Sequence, residues 1–73
     1  MSEHNIKSEL AAAVWKIEVS VGDRISAEDT LIILESMKME IPVTAPIAGV
    51  IQSIPVTEGS TVAEGDTLIV INH

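Results

Sequence analysis

The sequence comes close to repeating itself. Residues 12–34 read AAVWKIEVSVGDRISAEDTLIIL and residues 49–71 read GVIQSIPVTEGSTVAEGDTLIVI, in step at a constant offset of 37 without a gap. Seven positions are identical: Ile17/Ile54, Val19/Val56, Gly22/Gly59 and the run Asp29-Thr30-Leu31-Ile32 against Asp66-Thr67-Leu68-Ile69. Conservative pairs such as Ile25/Val62 and Leu34/Ile71 fill the spaces between. Two copies are too few for a stacked-repeat protein, and a chain of 73 residues has no room for a second core. The repeat therefore predicts one domain over residues 1–73, built as two similar halves about a pseudo-two-fold axis.

Each half has the punctuation of β structure. Ile17-Glu18-Val19-Ser20-Val21 and Ile54-Pro55-Val56-Thr57 alternate apolar and polar residues at the period of a strand. Pro55 has no N–H for a ladder, so that strand is expected at an edge or interrupted there. Turns follow at Gly22-Asp23 and Glu58-Gly59-Ser60, then a short strand around Ile25 or Val62. Second turns at Ala27-Glu28-Asp29 and Glu64-Gly65-Asp66 lead into the buried runs Leu31–Leu34 and Leu68–Ile71. Leu10, Val14 and Ile17 would also fit one face of a helix. Their repeat partners lie in a segment holding Gly49 and Pro55, which a helix resists, so a turn and strand is preferred. Composition agrees: isoleucine and valine number 19 against four leucines, with five threonines beside them. The fold class predicted is all-β, about eight short antiparallel strands, four per half, closed into a flattened barrel or sandwich.

Several functions are excluded by what the chain contains. A formal net charge of −7 and a single aromatic, Trp15, leave neither attraction for phosphate backbones nor a platform for stacking bases. With no cysteine there is no disulfide, thiolate metal site or catalytic thiol. The longest uncharged apolar run, Leu10 to Trp15, is far short of the ~20 residues of a membrane helix. Met1-Ser2-Glu3-His4 lacks the basic start of a signal peptide, so cytoplasmic residence is expected. His4 and His73 are the only histidines, both near the ends, where fraying is expected, and too few for a metal site. Gly59 to Gly65 lacks the lysine and hydroxyl of a phosphate loop, since Asp66 and Thr67 stand there. No G-x-S-x-G element supports a hydrolase. The turns at Glu28-Asp29 and Glu64-Gly65-Asp66 read as solvated.

The chemistry concentrates between the halves. Leu31-Ile-Ile-Leu-Glu-Ser-Met-Lys-Met-Glu-Ile-Pro-Val-Thr-Ala-Pro46 has two apolar runs flanking a polar centre, which predicts a β-hairpin near residues 34–41. A two-residue turn at Met37-Lys38 would pair Ser36 with Met39, Glu35 with Glu40 and Leu34 with Ile41. Three local rules fail in that register. The favoured tight turn needs φ > 0 and prefers Asn-Gly or Asp-Gly. Glu35 and Glu40 become like charges directly opposite. Two methionines stand where polar residues belong. Violations gathered around one residue mark a functional site, and that residue is Lys38. An exposed ammonium is charged at neutral pH and does not attack a carbonyl unaided. Lys38 is better suited to being modified by another enzyme than to catalysis.

Glu35-Ser36-Met37-Lys38-Met39 is similar to the E-[AS]-M-K-M signature of the biotinyl domains of biotin-dependent carboxylases, the biotin carboxyl carrier proteins. Val43, Ala45-Pro46, Gly49-Val50, Ile54, Val56, Gly59, Val62, Gly65-Asp66 and Leu68 also fit that family's pattern, so the resemblance spans roughly residues 13–71. It implies a flattened eight-stranded barrel with the lysine on the hairpin between strands four and five. It also implies covalent biotin on Lys38, attached by biotin protein ligase, with Glu35, Ser36, Met37, Met39 and Glu40 as the residues that ligase reads. The partners implied are that ligase, a biotin carboxylase and a carboxyltransferase, between which the biotin would carry a carboxyl group. The domain itself would supply no catalytic or metal-binding residue, and is expected to be monomeric in isolation, with no nucleic-acid or membrane partner. The chain departs from the pattern at Glu9-Leu10-Ala11-Ala12-Ala13, where family members often have Ala-Pro and Gly. It departs again at Glu28, which stands where the second copy has Gly65. It also has no residues for the protruding insertion of some bacterial carriers, and reads as a minimal, free-standing form.

Three other readings remain. A lipoyl carrier shares the implied fold, but such domains usually have Asp before the lysine and Ala or Val after it, so lipoate is the lesser cofactor. An acyl carrier protein is equally small and acidic but would need helices and an Asp-Ser-Leu site. The last is a β-sandwich interaction module whose lysine is never modified.

Overall fold

The computed structural model describes residues 2–73, and the description that follows is of those residues. Eight strands follow one another: β1 (Glu3–Lys7), β2 (Ala12–Ile17), β3 (Arg24–Ile25), β4 (Thr30–Ser36), β5 (Met39–Thr44), β6 (Gly49–Ser53), β7 (Thr61–Val62) and β8 (Thr67–Asn72). They form two antiparallel four-stranded sheets, ordered β1-β8-β6-β3 and β5-β4-β2-β7. No helix is long and apolar enough to cross a membrane.

The repeat organises both sheets. Adding 37 carries β2 onto β6, β3 onto β7, β4 onto β8 and β1 onto β5, so each sheet is the image of the other. Neither half makes a sheet alone, because each sheet takes two strands from each half. The correspondence reaches single hydrogen bonds. Gly22 N–H donates to Ile51 O as Gly59 N–H donates to Val14 O, and Glu28 N–H donates to Ala45 O as Gly65 N–H donates to Ser8 O. The shared aspartates have a structural task. Asp29 Oδ2 accepts from Ser26 N–H and Asp66 Oδ2 from Ala63 N–H, each at 2.8 Å, pinning the turn before a core strand. These turns are thus held by their aspartates and are more than solvated connections.

Between the sheets lies the core, made chiefly by the two central strands. Leu31, Ile32 and Leu34 of β4 and Leu68, Ile69 and Ile71 of β8 are fully buried, with Val14 and Ile51 from β2 and β6. Within the buried runs, Ile33 and Val70 are only half-buried and face outward.

Two expectations are corrected. The paired strands lie upstream of the alternating segments: β2 ends at Ile17 and β6 at Ser53, and residues 18–21 and 54–57 are outside the strands. Ile17, Val19, Ile54 and Val56 still pack against the core, so the alternation reports burial and not ladder pairing. Pro55 explains the second case, since it offers no donor to continue β6. The histidines are also not frayed. His4 lies within β1 opposite Ile71, and Ser2 and His73 exchange backbone hydrogen bonds of 2.8 and 2.9 Å.

Candidate functional site

β4 and β5 pair in the register expected from the sequence: Leu34 opposite Ile41, Glu35 opposite Glu40, Ser36 opposite Met39. Leu34 is fully buried and Ile41 packs against the core, so the base of the hairpin is fixed by the interior. The turn left between is Met37-Lys38. Both residues have left-handed φ, 53° and 64°, as a two-residue hairpin loop of type I′ demands. A side-chain-bearing residue in that region costs about 1–2 kcal/mol. The turn spends this stability twice in succession, at residues that Asn-Gly would replace at lower cost.

The side chains around the turn are presented outward. Met37 is 91% exposed and Met39 64%, and Glu35, Lys38 and Glu40 are exposed, with Ser36 half-buried. The methionines are therefore not core residues displaced to a loop. Two large apolar side chains are held in water beside one lysine, an arrangement that costs hydration and contributes nothing to packing. Glu35 and Glu40 face each other as like charges, which costs a few tenths of a kcal/mol to about 1 kcal/mol. Among the described residues the only ion pair is Lys16–Glu18, at 3.5 Å, so the Lys38 ammonium is not tied down by its acidic neighbours.

Among the described residues, neither of the two best-formed grooves includes Lys38. A groove of about 360 Å³ runs between the edge strands β1 and β5, lined by Ile6, Leu10, Leu34, Ile41 and Val43 among others, and the lysine is not part of it. Among the described residues no cluster of three or more His, Cys, Asp or Glu could hold a metal ion. His4 and His73 meet edge-on, ring centroids 6.4 Å apart, away from the lysine hairpin. An exposed primary amine on a rigid, pre-shaped turn suits acylation by an enzyme that engulfs it. The residues present therefore fit an amide-linked prosthetic group: an exposed amine on a hairpin turn, no other lysine in a turn among the described residues, and a backbone fixed by the sheet. Lys7 and Lys16 lie in strands β1 and β2.

Glu28 has φ 73° and makes the same turn as Gly65, φ 92°. The departure from the repeat thus changes the residue and not the backbone. Sequence reasoning passed over Trp15, which is half exposed on β2. The repeat held the signal, because its partner position is the polar Gln52.

Comparison with known proteins agrees with this geometry. The family described as "Biotin-requiring enzyme", the biotin/lipoyl domain, matches residues 5–71. The chain is 43% identical over 68 residues to the "Biotinylated protein TB7.3 homolog" of Mycobacterium leprae, covering 93% of this chain and 96% of that one. It is 38% identical over 68 residues to the "Biotin/lipoyl attachment protein" of Bacillus subtilis, covering 93% of each. Its fold superposes on part of the urea carboxylase of Kluyveromyces lactis with a TM-score of 0.91 and 35% identity, over 99% of this chain and 6% of that one. With sequence, register and fold in agreement over nearly its whole length, the chain belongs to the biotin/lipoyl attachment domain family.

Proposed function

We propose that the chain is a single biotin carrier domain, with Lys38 as the residue that takes the biotin in amide linkage. The observation that carries this reading is the Met37-Lys38 turn. Two consecutive side-chain-bearing residues with left-handed φ present an unpaired lysine between exposed methionines, where the fold alone would favour Asn-Gly. Biotin supplies a ureido ring that accepts and releases a carboxyl group. The chain's own residues hold and present. β4 and β5 fix the height of the turn above the core, the lysine stem provides reach, and Glu35, Ser36, Met37, Met39 and Glu40 form the surface that the attaching ligase reads.

Catalysis belongs to the partners in this scheme, a biotin carboxylase and a carboxyltransferase, because the lysine lies outside both grooves. The domain's contribution is a high effective concentration of one group at two sites. A cytoplasmic setting, where such ligases and carboxylases work, completes the reading. Lipoate on the same lysine is the alternative, and Met37 and Met39, which replace the residues usual in lipoyl domains, favour biotin.

Intact-mass measurement after expression in a host that supplies both biotin and lipoate ligases tests the proposal. One biotinyl increment per chain is expected. A lipoyl increment, or an unmodified chain with the ligases active on other substrates, overturns it.

A further inference from the structure

The two sheets share a backbone design, so each serves as a control for the other. On the outer face of the sheet that bears Lys38, a bulge at Val14/Lys16 places both Trp15 and Lys16 outward, opposite Ile33, which in turn faces Pro42. The next row toward the turn is Ala13, Glu35 and Glu40. The equivalent bulge at Ile51/Ser53 in the other sheet places Gln52 and Ser53 opposite Val70, which faces Asn5. Equivalent positions thus hold Trp15 against Gln52, Pro42 against Asn5 and Glu35 against Asn72.

Two of these exchanges, Trp15 against Gln52 and Pro42 against Asn5, put an apolar residue where the other sheet has a polar one, while Ile33 is matched by the apolar Val70. Where the second sheet has Gln52, whose Nε2 donates to Glu3 Oε2 at 2.6 Å, the first shows a tryptophan 50% exposed. Beside it lie the half-buried Ile33 and the exposed Pro42. The backbone does not require this, because the same backbone tolerates the polar set. Acidic groups border the strip: Glu35 and Glu40 toward the turn, and Glu18, which engages the nearby cation Lys16.

We propose that this face, centred on Trp15, Ile33 and Pro42, is the docking surface for the enzyme that attaches biotin to Lys38; the proposal rests on the biotin reading above. The partner surface it fits has an apolar pocket for the indole and a basic rim for the carboxylates. A second copy of this chain does not fit, because each carries a net charge of −7 and the same acidic border. Chemistry selects the attaching enzyme over the others. It must bring the lysine nitrogen itself to its reaction centre, so the protein surface beside the turn has to touch it. Enzymes acting later on the attached group meet it at the end of a long arm. Ile33 precedes Lys38 by five residues, about 17 Å of extended chain. A patch of the usual ~800 Å² per partner spans that distance. A single tryptophan at the centre of such a patch commonly dominates its affinity.

The test uses the unmodified full chain with purified biotin protein ligase, biotin and ATP. Trp15→Gln, which installs the residue of the equivalent site, should lower kcat/KM for the chain at least about tenfold, carried by KM with kcat nearly unchanged. Pro42→Asn should act in the same direction, and the mirror variant Gln52→Trp should stay within about twofold of wild type. Should Trp15→Gln not fold, Pro42→Asn decides by itself: a raised KM supports the face and an unchanged one overturns it. Wild-type kinetics in a folded Trp15→Gln chain overturn the docking face while leaving the biotin reading intact. So does unchanged ligation with slowed carboxylation of the loaded chain by a biotin carboxylase, which would assign the face to that enzyme. A wild-type chain that the ligase never loads defeats the biotin reading itself, and the docking face with it.

Discussion

One sheet ends in the Met37-Lys38 turn; at the equivalent place on the other sheet, Ser2 and His73 meet across a ladder with no turn at all. Both ends rest on the same architecture. Leu34 and Ile41 beneath the lysine turn correspond to Ile71 and His4, and the Glu35–Glu40 pair corresponds to Asn72 and Glu3. At the terminal end the facing pair is amide and carboxylate. At the lysine end it is two carboxylates, capped by two residues with left-handed φ and two methionines in water. What one backbone tolerates in quiet form, the other carries with every local preference violated. The difference is what supports the proposal that the lysine turn is the functional site, since folding demands none of those violations.

Four variants break or sharpen this comparison. The largest effect is expected at Gly49, at the start of β6. A Cβ there would meet Ile71 Cγ2 at 2.6 Å and the backbone oxygen of Asn72 at 2.7 Å, and the backbone cannot yield as a side chain can. Gly49→Ala should cost about 2–3 kcal/mol in chemical denaturation. Its partner position already holds Ala12, so the repeat is not interchangeable here; a neutral Gly49→Ala would show that it is.

Glu28→Gly is the next. It makes the first half match Gly65 in the second and relieves a left-handed φ, so it should raise stability by about 1 kcal/mol. Urea unfolding measures this. A loss of stability would mean that the Glu28 side chain holds the turn by a contact worth more than the strain.

Glu35→Asn transfers the terminal end's pairing to the lysine end. Removing the like-charge opposition should stabilise by about 0.5 kcal/mol, while biotin loading slows as the ligase loses a rim charge. Stability and loading rate should move in opposite directions. If both stay at wild type, Glu35 is an ordinary solvating charge.

The smallest stability change is expected from Met37→Asp combined with Met39→Ala. Both side chains are exposed, and Asp tolerates left-handed φ better than Met, so the thermal midpoint should shift by the equivalent of less than about 0.5 kcal/mol. Attachment should move from biotin toward lipoate when both ligases compete for the chain. A large loss of stability would return the methionines to a packing role.

The legibility of these features in the sequence was uneven, for physical reasons. The Glu35–Glu40 register was readable because apolar runs on both sides fix which residues face inward, and a two-residue loop leaves one solution. The repeat over residues 12–34 was readable because turn residues and buried runs recur in step. Its extension to β1 and β5 was not, since Glu3 and Glu40 are the only identity between those strands. The shift of β2 and β6 upstream escaped for another reason. Val19, Ile54 and Val56 are packed without being laddered, and apolar alternation reports only packing. The outward Trp15 was hidden by the bulge at Val14/Lys16, because one inserted residue puts two neighbours on the same face, which period-two reading assigns to opposite ones.

The central claim is that the strained turn exists to present one lysine. Peptide mapping by tandem mass spectrometry of the chain loaded by biotin protein ligase tests it most directly, with Lys38→Arg loaded in parallel. The expected result is biotin on Lys38 alone, with none on Lys7 or Lys16, and no loading of a folded Lys38→Arg chain. Biotin on Lys7 or Lys16, or undiminished loading of Lys38→Arg, would contradict it.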